Sequence, residues 1–189
     1  MRNLVLAAVA AAMLPAAASA QTSGGSRPFG IDPYVGVMGG YETFDRNAGH
    51  GIPDRPIGAD RLDGGLVQGV IGVNVPLGPV FVGAEGNVTK GFTGDIDWQY
   101  GAAGRFGVRA GESGLFYGKV GYQWVNFDRF GNDSRDYHAM SYGVGAEVGP
   151  RDIGLQGLTD RAGVRFRLEV STFGDADSFR PMAGVIAHF

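Results

Sequence analysis

Hydrophobic and polar residues alternate with a period of two along most of this chain from residue 32 onward. The clearest stretch is residues 164–171 (VRFRLEVS), where apolar and polar side chains alternate without a break. This alternation is typical of a β-strand with one apolar and one polar face, whereas an amphipathic helix repeats every 3.6 residues. The pattern predicts eight strands, over residues 34–44, 66–75, 80–88, 98–110, 115–126, 137–148, 164–171 and 179–189.

The predicted connections alternate between short and long. Residues 76–79 (PLGP) and 111–114 (GESG) have the composition of tight turns, whereas residues 45–64 and 127–136 form longer polar loops. Short turns on one side, long loops on the other and an even strand number are typical of bacterial transmembrane barrels. Residues 149–161 depart from this alternation. They are either a long turn on the short-turn side or a sign that the strand count is wrong there.

The distribution of charge between the two strand faces indicates whether the barrel lies in water or in a membrane. A soluble barrel turns its apolar face inward, whereas a membrane barrel turns it toward lipid and fills its lumen with polar groups. The sequence therefore predicts an all-β, eight-stranded antiparallel transmembrane up-and-down β-barrel. A soluble sheet with an apolar core remains the alternative. The charged residues expected to pair across the lumen are Glu42, Glu85, Arg105, Arg109, Lys119, Glu147, Arg165, Arg167, Glu169 and Arg180.

Aromatic residues on the apolar face lie near strand ends. Trp98 and Tyr100 come early in one predicted strand, and Tyr122 and Trp124 come late in the next. In an up-and-down barrel these four positions lie on the same side of the membrane. They therefore predict an aromatic girdle at the membrane interface.

The composition supports strands and excludes several kinds of site. The 34 glycines are spread along the chain and disfavour helices, in which each costs about 1 kcal/mol relative to alanine. On the lumen face they leave room for long charged side chains, and a lumen filled in this way argues against a wide pore. The absence of cysteine excludes disulfides, thiolate metal sites and a lipoprotein anchor. With a formal net charge of −3 and no basic block, a nucleic-acid partner is not expected.

The first twenty residues have the pattern of a secretory signal peptide. Arg2 precedes an apolar run over residues 4–14, and Ala18-Ser19-Ala20 matches a small-x-small cleavage site. The apolar run is too short to span a membrane as a helix, which needs about 20 residues. The predicted organisation is a signal peptide over residues 1–20 with cleavage near Ala20, an N-terminal lead-in over 21–31 and an outer-membrane β-barrel over 32–189.

Several segments resemble the family of small outer-membrane barrels that includes the opacity-type proteins and the OmpA-type transmembrane domain. They are the signal peptide, residues 34–41 (YVGVMGGY), residues 166–170 (FRLEV) and the end, residues 184–189 (GVIAHF). The terminal Phe189, preceded by alternating apolar residues, is similar to the signal read by the outer-membrane assembly machinery. The resemblance implies a Gram-negative host, location in the cell outer membrane, and contact with outer-membrane lipid and lipopolysaccharide. It implies no single activity, since the family includes adhesins, structural proteins and weak pores.

The candidates for chemistry are few. His138, Ser141 and Glu147 share a predicted strand and are similar in type to the Ser/His/acid set of outer-membrane lipid A deacylases. In that family the His and the Ser lie two residues apart and hence on one face of the strand. In this chain His138 and Ser141 lie three residues apart, which places them on opposite faces. His50 lies in the first loop among scattered aspartates, without a recognised metal-binding spacing. We expect no catalytic residue, cofactor or metal site.

The expected function is a structural or surface-interaction role in the outer membrane without catalysis. The long loop over residues 45–64 is the expected contact for a surface ligand. The alternatives are a narrow porin-like passage for small solutes, an envelope-lipid enzyme and a soluble exported lipid carrier.

Overall fold

The computed structural model describes residues 30–110, 114–128, 135–149 and 163–189. They form a closed barrel of antiparallel strands in which each strand pairs with its neighbours in sequence and the last pairs with the first. The predicted eight-stranded up-and-down barrel is confirmed. The strands are β1 (Asp32–Phe44), β2 (Asp63–Leu77), β3 (Val80–Gly91), β4 (Ile96–Ala110), β5 (Gly114–Phe127), β6 (Tyr137–Val148), β7 (Gly163–Phe173) and β8 (Ser178–His188).

One predicted turn is shorter than expected. Pro76 and Leu77 still pair with β3, so the connection between β2 and β3 is reduced to Gly78 and Pro79. Gly78 has a φ of 77°, and a glycine at positive φ in the first position of a two-residue turn matches the twist of a hairpin. The predicted signal peptide, the turn residues 111–113 and nearly all of the unusual connection over 149–161 lie outside the described residues.

The two ends of the barrel differ in their connections. Asp32 and His188, at the outer ends of the first and last strands, lie at the same end as the short β2–β3 turn. We call this the terminal end. The opposite end, the loop end, carries the described residues 45–62, 92–95, 128, 135–136 and 174–177.

The two faces of the strands are arranged as predicted for a membrane barrel, with the apolar face outside and the polar face inside. The outward face is apolar, and Ile71, Val144 and Leu168 each have about two thirds of their surface exposed (66%, 64% and 64%). The inward face buries charged side chains, with Glu147 and Arg167 fully enclosed. An apolar exterior around a polar interior is the arrangement of a transmembrane barrel.

An apolar layer closes the lumen at the loop end. Phe44 makes edge contacts with Phe127 and Phe173, at centroid distances of 5.2 and 5.8 Å. The first loop adds buried side chains to this layer. We call the layer the apolar cap; it comprises Phe44, Ala48, Ile52, Leu62, Phe127, Tyr137 and Phe173.

Two inward-facing glycines lie directly under tyrosine rings. A Cβ on Gly72 would contact the Tyr34 ring and come within 2.7 Å of a backbone oxygen. A Cβ on Gly145 would contact the Tyr117 ring and come within 2.9 Å of a backbone oxygen. Since a real Cβ does not approach backbone this closely, glycine is required for the rings to lie against the wall.

Replacing either glycine with alanine should therefore destabilise the barrel. We expect Gly72→Ala and Gly145→Ala each to lower the free energy of unfolding by about 1–3 kcal/mol, the usual cost of overpacking. Urea titration of the protein folded in lipid vesicles measures this. The matched control is Gly104→Ala, where the added Cβ has its nearest neighbour at 3.9 Å. Equal effects at all three positions would contradict the steric explanation.

Candidate functional site

The most distinctive group of side chains is a buried charge network in the terminal half of the lumen. Glu85 on β3, Arg105 on β4, Glu147 on β6 and Arg167 on β7 approach one another although 20 or more residues separate them in sequence. Each occupies an inward position of its strand, because alternate residues of a strand share a face. The closed barrel then brings these four faces together across a narrow interior.

Glu147 lies at the centre of this network. Its Oε1 accepts hydrogen bonds from Arg105 NH2 at 2.7 Å and from Arg167 NH2 and Nε at 2.7 and 3.1 Å. Arg167 NH1 also donates to Glu85 Oε2 at 2.5 Å. One guanidinium thus links two carboxylates, an arrangement that the planar fork of five N–H donors favours.

Two tyrosine rings enclose the arginines. The Arg105 guanidinium carbon lies 3.9 Å from the Tyr117 ring centroid and 5.0 Å from that of Tyr34. The Tyr34 hydroxyl donates to Glu85 at 2.8 Å, and the Tyr117 hydroxyl donates to Glu169 at 2.7 Å. Each ring therefore offers a face to a cation and a proton to a carboxylate, which offsets part of the cost of burying the charges.

Lys119 extends the network along β5. Its ammonium group lies 3.2 Å from Glu85 Oε1 and 2.5 Å from Glu169 Oε1. Lys119 is 3% exposed, so it is effectively withdrawn from solvent. A buried ammonium between two carboxylates has the paired environment that buried charges require.

The network continues to the rim of the terminal end. His188 Nε2 lies 2.8 Å from Glu147 Oε2, and its Nδ1 lies 3.2 Å from Asp32 Oδ2. Arg165 NH1 lies 3.7 Å from the same Glu147 oxygen. Since Asp32 opens β1 and His188 ends β8, the contact between Asp32 and His188 crosses the seam that closes the barrel.

A second polar layer lies nearer the loop end. Glu42 accepts hydrogen bonds from Gln99 at 2.5 Å and from the Ser178 hydroxyl at 2.7 Å. Arg180 donates to Gln99 at 2.7 Å and to Ser171 at 2.9 Å. Neutral amides and hydroxyls thus connect Glu42 and Arg180, whose charged atoms are 4.0 Å apart.

The structure places nine of the ten predicted lumen residues in buried positions. Arg109 does not join them: it is the next-to-last residue of β4, at an exposed position. Arg109 shares the inward face of β4 with Arg105 by the alternation of the strand. It lies so near the end of the strand, however, that its side chain is exposed to solvent. Sequence reasoning missed Tyr34 and Tyr117 as parts of the network. The alternation of the strands also assigns these two tyrosines to the inward face, so the same pattern that identified the charged residues could have identified them.

The residues considered for catalysis lie apart. His138 is exposed on the outer surface, where its Nδ1 lies 2.6 Å from the Tyr122 hydroxyl, whereas Ser141 is buried on the lumen side. This is the opposite-face placement expected from their spacing.

His50 Nε2 lies 3.4 Å from Asp177, across the loop end. Within the described part of the chain, no group of three or more His, Cys, Asp or Glu residues is arranged to hold a metal ion.

Three of the four predicted aromatic girdle residues meet on the outer surface at the loop end, whereas the Trp98 ring lies 4.7 Å from the Lys90 ammonium group. Tyr100 and Trp124 stack with ring centroids 5.3 Å apart and an interplanar angle of 7°. Tyr122 packs edge-on against Trp124 at 4.9 Å. The Tyr100 hydroxyl donates to Asp136 at 2.7 Å, so the rings have an apolar body and a polar tip.

The charged lumen should be sensitive to the loss of one partner. We expect Glu147→Gln to lower the free energy of unfolding by about 3–5 kcal/mol, because it leaves several buried cations without their shared carboxylate. Urea unfolding in lipid vesicles measures this. The control is Asp45→Asn at the loop-end surface, where an exposed ion pair with Arg61 should be worth less than about 1 kcal/mol. Similar losses for the two variants would show that the network is not the main stabilising element.

Comparison with known proteins identifies the fold. No family model and no curated protein sequence matches the chain. Among the described residues there is no helix long and apolar enough to cross a membrane. Three of the solved structures similar to this chain are outer-membrane or surface proteins.

The attachment invasion locus protein Ail of Yersinia pestis has a TM-score of 0.54 and 15% identity, covering 85% of this chain and 99% of that one. Neisserial surface protein A has a TM-score of 0.48 and 12% identity, over 83% and 97% of the two chains. The outer-membrane protein OprG of Pseudomonas aeruginosa has a TM-score of 0.43 and 12% identity, over 83% and 95%. At these identities the likeness to Ail concerns the fold alone: this chain has the fold of the small eight-stranded outer-membrane β-barrels.

Proposed function

We propose that this chain is an outer-membrane protein of a Gram-negative cell, with a structural or surface-interaction role and no catalysis. The observation that carries the proposal is the interior of the described barrel, which is filled by its own side chains. Buried ion pairs fill the terminal half of the lumen, and the apolar cap covers the loop end. A barrel without an open interior acts through its outer surface and its loops.

The first loop is the proposed contact surface. Its buried residues Ala48, Ile52 and Leu62 anchor it on the barrel, while Ile57 is 99% exposed at its tip. An anchored loop presents its exposed residues in a fixed place, which favours recognition over a freely moving segment. We propose that residues 45–64 contact a surface ligand.

The membrane supplies the other proposed partners. Outer-membrane lipid and lipopolysaccharide would contact the apolar outer face and the aromatic girdle. The proposed export route begins with cleavage of the signal peptide near Ala20. The last strand, ending at Phe189, would then be read by the outer-membrane assembly machinery.

Cysteine labelling in intact cells tests the location and the orientation together. The chain has no cysteine, so each introduced cysteine is a unique site. We expect Ile57→Cys at the loop tip to react with a membrane-impermeant maleimide on intact cells. Arg109→Cys at the terminal end is the matched control and should react only after the outer membrane is permeabilised. Labelling of both residues, or of neither, in intact cells would contradict the proposed placement.

A narrow passage for small solutes is the alternative, and the closed lumen counts against it. Arg167 links Glu85 and Glu147 across the interior, so a solute would have to separate buried ion pairs. We expect vesicles containing the folded protein to swell in small sugars no faster than protein-free vesicles. Vesicles with a known porin provide the positive control. Swelling above the protein-free rate would favour the passage over the sealed structural role.

The two remaining alternatives have less support. An envelope-lipid enzyme needs a nucleophile and a base on one face, and His138 and Ser141 lie on opposite faces. A soluble lipid carrier needs an apolar interior with room for a ligand. The interior here is charged and filled by its own side chains.

A further inference from the structure

A groove of about 490 Å³ lies on the outer surface of the barrel at the loop end. Its lower wall is formed by outward-facing residues of β6, β7 and β8: Tyr142, Val144, Val170 and Phe179. These side chains are between 40% and 64% exposed, so the wall is apolar and open to the surroundings. The first loop and the β7–β8 connection form the upper edge, with Asp45, Arg61 and Ala176 among the lining residues.

The strand pairing is interrupted beside the groove, next to its lining residues Thr43 and Phe179. Between β1 and β8 the paired residues run to Gly40 and Met182 and resume only at Thr43 and Phe179. Pro181 occupies this gap, and a proline has no backbone N–H to donate to the ladder. The interruption is therefore explained by a single residue, Pro181, which cannot donate a backbone hydrogen bond.

The ends of β7 and β8 are also held together irregularly. The Phe173 backbone N–H donates to the Ser178 hydroxyl at 3.0 Å, a side-chain bond in place of a strand-to-strand one. Ser171 and Ser178 are among the lining residues although both are buried, so this part of the wall borders the groove. Ala176 has a φ of 74°, a left-handed conformation that costs energy in a residue with a side chain.

The rim carries one cation with spare hydrogen-bonding capacity. Arg61 NH1 donates to Asp45 Oδ1 at 3.3 Å, and both side chains are about half exposed. A guanidinium has five N–H donors in a planar fork that matches a phosphate. A phosphate at the rim would therefore bind Arg61 in competition with Asp45, whose negative charge opposes it.

We propose that this groove binds one membrane lipid with a phosphate headgroup. The acyl chain lies along the apolar wall of β6–β8, and the phosphate binds Arg61 at the rim. The volume of the groove falls within the roughly 300–1,000 Å³ usual for small-molecule sites. A lipid is the occupant because the wall belongs to the same outward apolar face as the rest of the barrel, with the charged pair only at its upper edge. This inference rests on the proposed membrane location, which the cysteine labelling tests independently.

The test uses the full folded protein in a neutral detergent, with dioleoyl phosphatidic acid as the probe and dioleoylglycerol as its neutral counterpart. Native mass spectrometry counts the bound lipids. We expect one phosphatidic acid per protein, bound at least tenfold more tightly than dioleoylglycerol. Several lipids bound with a statistical distribution and no preference for the phosphate would overturn the proposal. Displacement of the lipid by millimolar inorganic phosphate would also overturn it, because the site would then be for free phosphate.

The two rim residues give variants with effects of opposite sign. Arg61→Gln should abolish the preference for phosphatidic acid, whereas Asp45→Asn should strengthen its binding, because a competing carboxylate is removed. A rim that only stabilises the loop would respond in the same direction to both changes. No change in the preference with either variant would overturn the role of the rim.

The apolar wall is tested by filling it. Val144→Trp should weaken the binding of both lipids about tenfold or more, since Val144 lines the groove. Val88→Trp is the matched control, because Val88 is a similarly exposed outward valine on β3, away from the groove. The folded state of each variant is checked by its shift on a detergent gel after boiling. Equal binding by the folded Val144→Trp and Val88→Trp proteins would place the lipid elsewhere.

Discussion

The shared carboxylate of Glu147 is the interaction on which the rest of the lumen depends. An eight-stranded barrel is only just wide enough to be filled by side chains, so its polar interior has little room for water. Charged groups in such a space are tolerable only when each has a partner of opposite charge. Glu147 meets this condition for Arg105 and Arg167 at once, and its other carboxylate oxygen lies within hydrogen-bond distance of His188. The position of each of these side chains therefore depends on the others.

The lumen has two different closures, and each follows from its place in the barrel. Among the described residues the terminal half is enclosed by strands, and inward side chains from around the wall pair with one another there. At the loop end the first loop folds back and contributes Ile52 and Leu62 to the apolar cap. Here the closure is hydrophobic and non-directional, and it buries side chains that would otherwise leave the loop without an anchor. The described interior is thus filled by side chains at both ends, by ion pairs in the terminal half and by the apolar cap at the loop end.

The outer surface carries the features with room for a partner. The stacked Tyr100 and Trp124 rings have the properties expected of a membrane interface, because they combine an apolar body with polar tips. On another side of the barrel, Pro181 interrupts the strand pairing beside the apolar groove. A regular wall offers lipid a uniform surface, whereas a local break in the ladder makes one place different from the rest. The proposed lipid contact therefore lies beside this irregularity and does not extend over the apolar face as a whole.

The sequence by itself determined the strands, their number and which residues face inward, because the period of two is a local property of each strand. It also identified nearly all of the buried charges; Arg109 differs because the period says nothing about where the wall ends. Only the tertiary structure decided which charges meet. Arg167 binds Glu85 across 82 residues of sequence, and that pairing depends on how the strands are staggered around the closed barrel. The apolar cap was likewise beyond the sequence pattern, because a loop without periodicity does not reveal which of its side chains fold back onto the barrel.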